Sequence, residues 1–198
     1  SGRKSLSNVL EAFAVYSPDV GYLLGMAYLV AVMLLVLDEE HAFWMLISLA
    51  QKFPVFCSEM VCFRKSLYIL DDLVERSMPA LHSHFQQQGI GSALYASEWF
   101  STLFAYSFPI DKVFFLWDVM MWEPPEYLLN VSLAVLKLSQ DELMKLSFEG
   151  IIKTLKERGE SLSVTAVIKK ADSLVIMPSL LHKLQATFLE KERVGANP

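Results

Sequence analysis

The chain has 198 residues, 54% of them hydrophobic and 20% charged, with a net charge of −5 from 22 acidic and 17 basic side chains. That length buries a substantial core without disulfides or metals, and the apolar content excludes a disordered, solvating segment. No basic run exceeds Lys169-Lys170 or Arg3-Lys4, so a phosphate-tracking nucleic-acid surface is disfavoured.

The mean hydropathy of +0.37 is high and leaves two readings, membrane contact or an unusually apolar interior. The two cysteines, Cys57 and Cys62, are too few for a disulfide framework and read as buried free thiols in a reduced, intracellular compartment. No charged n-region, apolar h-region and cleavage site opens the sequence, so no signal peptide is expected in it.

Every segment reads as helix. Ser5 and Ser7 offer N-cap hydroxyls before Val9, Leu10, Phe13 and Ala14, whose one-face spacing ends near Ser17-Pro18. Gly21 to Leu37 is apolar all round, which predicts a helix buried on every side. Asp38 caps the next helix, with Glu39 and Glu40 in its first turn where the helix dipole favours them. That helix runs through Phe43, Trp44, Leu46, Ile47 and Leu49 until Phe53-Pro54 stops it. From Glu59 to Arg76 the apolar positions Phe63, Leu67, Leu70 and Val74 face opposite Asp71, Asp72, Glu75 and Arg76. Pro79 opens a short helix, and residues 86–91 form a loop.

Leu94 to Ser107 is rich in aromatics. Pro109 breaks it and opens Ile110 to Met121; Pro124-Pro125 precedes Tyr127 to Leu138, and a separate short helix fits Gln140 to Leu146. Phe148, Ile151, Ile152 and Leu155 stand at i, i+3, i+4 and i+7, with Gly159 expected as the C-cap. Ser163 to Ser173 fits a helix or, with its β-branched residues, a strand. Met177 to Arg193 closes the sequence as an amphipathic helix before a polar tail at 195–198. The expected architecture is all-α, one domain over 1–198, of ten or more short helices.

The eighteen uncharged residues from Val20 to Leu37 are long enough to span a bilayer. Acidic flanks, two internal glycines and the absence of a second such run favour a central helix of a helical domain instead. His82 and His84 lie two apart, on different faces of a helix, and converge poorly on one ion with Cys57 and Cys62, so no metal site is expected. His41 and His182 stand alone. There is no nucleophile turn, glycine-rich phosphate loop or paired-carboxylate motif. Trp44, Trp99, Phe100, Phe104 and Trp117 read mostly as core anchors, although Glu98-Trp99-Phe100 could present a flank to a partner.

The order of these pieces carries a resemblance. Tyr16-Ser17-Pro18-Asp19-Val20-Gly21-Tyr22-Leu23-Leu24-Gly25-Met26 resembles the Tyr-x-Pro-x-Val-Gly-Tyr-x-Gln-Gly-Met signature of TBC domains, the GTPase-activating domains for Rab-type small GTPases. The likeness continues through Glu39-Glu40-x-Ala42-Phe43-Trp44, Trp99-Phe100-x-x-Leu103-Phe104, Pro109, Trp117-Asp118 and Leu133 to Lys137. It covers the chain from Leu6 to about Leu155 and implies an all-helical TBC-like fold. It implies a GTP-bound Rab as partner, a role in vesicle traffic, and GTPase contacts at Asp19, Tyr22, Leu24, Glu98 and Trp99. No cofactor of its own is implied, since GTP and Mg belong to the GTPase. A cytoplasmic location follows, peripheral at membranes through the GTPase, with no membrane insertion.

Two departures bear on chemistry. Family members supply in trans an arginine that neutralises charge on the phosphates and a glutamine that orients the attacking water, and such an arginine is worth about 10³ to 10⁵ in rate. The glutamine position here is Leu24, which has no hydrogen-bonding group. The arginine belongs to an Ile-x-x-Asp-x-x-Arg motif upstream of the helix near Leu6, and the residues before Leu6 do not contain it. Ile69-x-x-Asp72-x-x-Glu75-Arg76 is one residue out of register and in the wrong part of the domain order, so Arg76 is rejected as the finger. Pro124-Pro125 and Ser147 depart from the family's usual glycine and aspartate. The reading is a Rab-GAP domain impaired in catalysis, with a pseudo-GAP interaction scaffold as the alternative and a single-span membrane protein as the remote one. Without the helices expected upstream, apolar surface is exposed and self-association is open to it.

Overall fold

The computed structural model describes residues 2–57 and 60–195. Among them the chain forms eleven α-helices, one 3-10 turn and no strand. In order these are α1 (Gly2–Tyr16), α2 (Met26–Met33), α3 (Glu39–Lys52), the 3-10 turn Pro54–Phe56, α4 (Met60–Ser77), α5 (Pro79–Gln87) and α6 (Ser92–Thr102). There follow α7 (Ile110–Trp122), α8 (Tyr127–Leu143), α9 (Phe148–Ser161), α10 (Val164–Asp172) and α11 (Pro178–Gly195). The all-α expectation holds. Glu59 and the end of the polar tail, from residue 196, lie outside the described residues.

The helix buried on every side is α8, not the apolar run near the start. Leu128, Leu129, Val131, Leu133, Ala134, Val135 and Leu136 are all buried, because α4, α6, α9 and α10 pack around α8. The expected break before Gln140 does not occur, and α8 runs on to Leu143. The run from Gly21 to Leu37 holds only the eight-residue α2. Its first part is bent by positive φ at Gly21 (61°) and Gly25 (102°), angles open mainly to glycine. Leu35 and Val36 beyond it are exposed. No helix among the described residues is long and apolar enough to cross a membrane, which corrects the spanning reading.

Helix ends elsewhere follow local chemistry. The Asp38 carboxylate accepts the His41 backbone N–H at 2.9 Å and so caps α3. That bond, with a second from the His41 ring, holds the Asp38 carboxyl below its ordinary range, and the ring's own bond to the carboxylate lifts His41 above its own. Ser5 and Ser7 lie inside α1 rather than capping it. Ser147 makes no side-chain cap on α9; the Phe148 N–H is instead satisfied by Gln88 Oε1 at 2.9 Å, from the end of α5. The β-branched stretch of α10 is helical, with Val167 and Ala171 buried.

Gly159 corrects a second expectation. It does not end α9, which continues to Ser161. A Cβ there would lie 2.7 Å from the Ser107 carbonyl carbon and 2.8 Å from Phe108 Cα, so the glycine is a place of backbone contact rather than a stop signal. Termination is achieved by Lys112 of α7, whose Nζ donates to the carbonyls of Gly159, Glu160 and Leu162 at 3.0, 2.7 and 2.9 Å. A charged donor meeting the negative end of a helix is favourable twice over.

Cys57 and Cys62 are bonded to each other, with Cα atoms 6.1 Å apart. This overturns the expectation of free thiols, which rested on cysteine number; the first turn of α4 returns Cys62 to Cys57. Substituting Lys112→Met should lower unfolding stability by about 2 kcal/mol, the scale of lost charge-assisted bonds, read as a fall in urea midpoint at unchanged slope. Gly159→Ala should cost about 3 kcal/mol or more, because backbone cannot yield as a side chain does.

Candidate functional site

Three segments far apart in sequence build one groove. The loop between α1 and α2 contributes Leu23 and Leu24. The 3-10 turn and the start of α4 contribute Val55, Phe56, Cys57, Met60 and Phe63. One face of α6 contributes Ser97, Glu98 and Ser101. The enclosed volume is about 300 Å³ and the walls are mostly apolar.

The loop is held by its glycines. Gly21 N–H and Val20 N–H both return to Ser17 O, at 2.8 and 3.1 Å, closing the turn after α1. At Gly25 an added Cβ would stand 2.7 Å from the Ser101 carbonyl carbon. The start of α2 is thereby pressed against α6, and Leu24, one residue earlier, projects from the lip of the groove with 85% of its surface exposed. Leu23 N–H donates to Met26 Sδ at 3.5 Å, turning the loop into α2.

On α6 the functional and structural faces separate. Tyr95, Trp99 and Phe100 point into the core, with Trp99 2% exposed and stacked on Phe104 at 5.5 Å. Burial also pushes the Tyr95 phenol well above its ordinary range, with Asp71 adding to the rise. Glu98 turns outward, 3.9 Å from Lys156 Nζ of α9. After α6 the chain reverses through Leu103 and Phe104, both at positive φ (45° and 66°) and fully buried. Trp117 Nε1 secures the turn by donating to Leu103 O at 2.8 Å.

Of the five residues expected to touch a partner, Leu24 and Glu98 meet at the groove. Asp19 and Tyr22 are exposed on the same loop without lining it. Trp99 is corrected: α6 directs it inward as a core anchor, with no surface to offer. Phe100, Phe104 and Trp117 are buried as expected, whereas Trp44 is half exposed and packs edge-on against Tyr16 and Phe43 at 6.0 and 5.1 Å. The sequence does not point to a site at Val55, Phe56, Cys57, Met60 and Phe63: Phe63 reads as part of the apolar stripe of α4, and the others carry only apolar character.

The groove offers little chemistry. Ser97 and Ser101 hydroxyls donate back to the α6 carbonyls of Ala93 and Glu98, at 2.6 and 3.5 Å, leaving Glu98 as the single charged lining residue among the described residues. Arg76 is paired with Asp72 and lies sixteen residues beyond Met60 on α4, about 24 Å along the axis by helical rise. No group of His, Cys, Asp and Glu among the described residues could hold a metal. His84 Nε2 lies 2.9 Å from Leu146 O, and His82 lies 3.7 Å from Asp71. A larger cavity, about 580 Å³ between Tyr127 and His182, is lined by none of the motif residues.

Eleven helices among the described residues, with the signature loop packed against the end of α6, place the chain in the class of all-helical domains. Within it, a model described as the Rab-GTPase-TBC domain matches residues 1–144, and the chain belongs to that family. GTPase activating protein Gyp51 of Schizosaccharomyces pombe is 36% identical over a stretch covering 90% of this chain and 19% of that protein. Rab GTPase-activating protein eat-17 of Caenorhabditis elegans is 30% identical, covering 96% of this chain and 22% of that one. The chain therefore spans 19–22% of the length of these curated relatives. Among solved structures, the Chlamydomonas flagellar RabGAP TBC domain superposes with a TM-score of 0.75 at 28% identity, covering 85% of this chain and 58% of that one. The Ypt/Rab-GAP domain of Gyp1p, at 20% identity and a TM-score of 0.74, shows the shared fold and covers 93% of this chain and 66% of that one.

Gly25→Ala should strain the backbone and drive a methyl into Ser101, costing about 3 kcal/mol or more. The expected readout is a lowered thermal midpoint together with altered hydrogen exchange at the start of α2 and along α6.

Proposed function

We propose that this chain is the GTPase-facing part of a Rab GTPase-activating protein that binds a GTP-bound Rab and does not accelerate its hydrolysis by the two-finger route. The observation that carries the reading is Leu24. It stands exposed on the lip of an apolar groove, at the motif position where the family resemblance calls for glutamine. Its isobutyl group keeps the bulk of a glutamine and can bury against a partner, but it cannot accept or donate a hydrogen bond to a water.

Phosphoryl transfer is catalysed mainly by positioning and electrostatics. Among the described residues the charged groups at the groove are Glu98 and its loose partner Lys156, and a carboxylate facing a triphosphate opposes the charge stabilisation that hydrolysis needs. GTP and Mg²⁺ in this scheme belong to the Rab. The domain acts in the cytoplasm, reaching membranes through its partner, in vesicle traffic. The non-catalytic scaffold reading gains from the same leucine, since an apolar lip favours binding without chemistry.

The test is single-turnover GTP hydrolysis by a panel of Rab proteins with and without the chain. Stimulation below about a hundredfold is expected, against the 10³ to 10⁵ of an arginine finger; a larger acceleration would overturn the reading. Leu24→Gln alone should not restore activation, while Leu24→Asp should weaken Rab binding by about tenfold or more.

A further inference from the structure

The bond between Cys57 and Cys62 lies in the wall of the groove. Cys57 is a lining residue, set between Val55 and Phe56 of the 3-10 turn and Met60 and Phe63 of α4. Both cysteines are half-buried rather than sealed in the core, so a small thiol can reach the sulfur pair from the groove. They are the chain's two cysteines, and no other pairing within the chain competes for them.

The two sides of the bond are held very differently. On the Cys57 side, Phe53, Val55 and Phe56 are buried, and the Phe56 N–H donates to Phe53 O at 3.1 Å. On the Cys62 side, no residue from Met60 to Ser66 is buried, and the first buried residue of α4 is Leu67. Among the described residues, those first two turns are tied by Phe63, edge-on to Phe100 at 6.4 Å, by the exposed Arg64–Glu192 pair, and by the disulfide. An exposed ion pair contributes little, and a helix start leaves its first N–H groups without partners inside the helix. The covalent link is therefore the strongest tie between the turn and the start of α4.

Breaking that link leaves the rest of the fold its own supports. The ring it closes is short, and loop-closure entropy is smallest for short loops. Leu67, Leu70, Leu73 and Val74 keep the remainder of α4 in the core, and Tyr68 packs on Phe188 at 5.5 Å. Cys62 is also in the first turn of α4, where the positive end of the helix stabilises a sulfur anion as it leaves.

We propose that Cys57–Cys62 is a reversible thiol–disulfide switch that sets the far wall of the groove. The thiolate of a small thiol such as glutathione attacks one sulfur, the S–S bond breaks, and the departing sulfur takes a proton. A second thiolate then attacks the mixed disulfide, releases the other cysteine, which takes a second proton, and leaves as the reductant's own disulfide. That disulfide is the oxidant of the reverse sequence. Closed, the bond holds Met60 and Phe63 to the turn, and the groove keeps its walls. Open, the first two turns of α4 fray, and the apolar trough beside Leu24 loses one side. The switch needs no identity for what the groove binds and stands apart from the GTPase reading.

The experiment equilibrates the 198-residue chain with reduced or oxidised glutathione, without denaturant. Alkylation read by mass spectrometry should find both cysteines reactive in the reduced form and neither in the oxidised one. Hydrogen exchange at residues 63–67 should quicken by about tenfold or more on reduction while α8 keeps its protection, and oxidised glutathione should restore the slow rate. Cys57→Ser/Cys62→Ser should show the exchange of the reduced form in both buffers. A bond that glutathione opens only after unfolding in urea is a structural staple, and the switch is then wrong. Cysteines that still alkylate in oxidised glutathione, or reduction that leaves exchange at 63–67 unchanged, overturn it equally. Should the double serine variant fail to fold, the two forms of the unsubstituted chain decide the matter.

Discussion

Two places where a glycine admits the backbone of another segment hold the working surface together. Gly25 lets the start of α2 press on Ser101, at the last turn of α6. Gly159 lets α9 press on Ser107, just after the chain has reversed through Leu103 and Phe104. The end of α6 and the turn that follows it are therefore gripped on both sides. No larger residue fits either position, since the obstructing atoms are backbone and cannot rotate away. The reversal itself places two non-glycine residues in the left-handed region, a cost of about 1–2 kcal/mol each, offset by complete burial of both side chains and the bond from Trp117.

That grip explains why α6 can serve two purposes. Its inner face carries Tyr95 and Trp99 into an aromatic cluster with Phe85, Phe104 and Phe108, while Phe100 meets Phe63 edge-on. Its outer face carries Glu98 and Ser101 to the groove. A surface built on a helix fixed in this way is preorganised. The surface is otherwise plain. Among the described residues it has an apolar trough and one carboxylate, and the lip of its loop carries Leu24, a side chain with no hydrogen-bonding group.

Periodicity and punctuation were strong guides to element type and weaker guides to extent. Asp38 as a cap, Pro54, Pro79 and Pro109 as breaks, and the amphipathic stripes of α4 and α9 each act through a few neighbouring residues, so they are legible without the fold. Errors arose where a local signal had a distant cause. Gly159 looked like a stop because glycine often is one, but its role is set by Ser107, fifty-two positions away. Uniform apolarity from Val20 to Leu37 looked like total burial, yet Leu24, Leu35 and Val36 face outward while the buried helix is α8, whose sequence mixes Asn130, Ser132 and Ser139 among its leucines. Those serines satisfy themselves on their own helix, Ser132 and Ser139 donating to carbonyls four residues back at 2.8 and 2.7 Å. They therefore tolerate an interior that polarity alone would deny them.

The sequence by itself determined the all-helical class, the family resemblance and the identity of the residue at position 24. Each depends on residue type and order along one stretch of chain. Only the tertiary structure decided that Leu24 projects from a groove, that Trp99 turns away from it, and that Val55, Phe56, Cys57, Met60 and Phe63 form its far wall. These are relations between segments brought together by the approach of α2 and α9 to α6. Spacing within any one segment carries no record of what another will press against it.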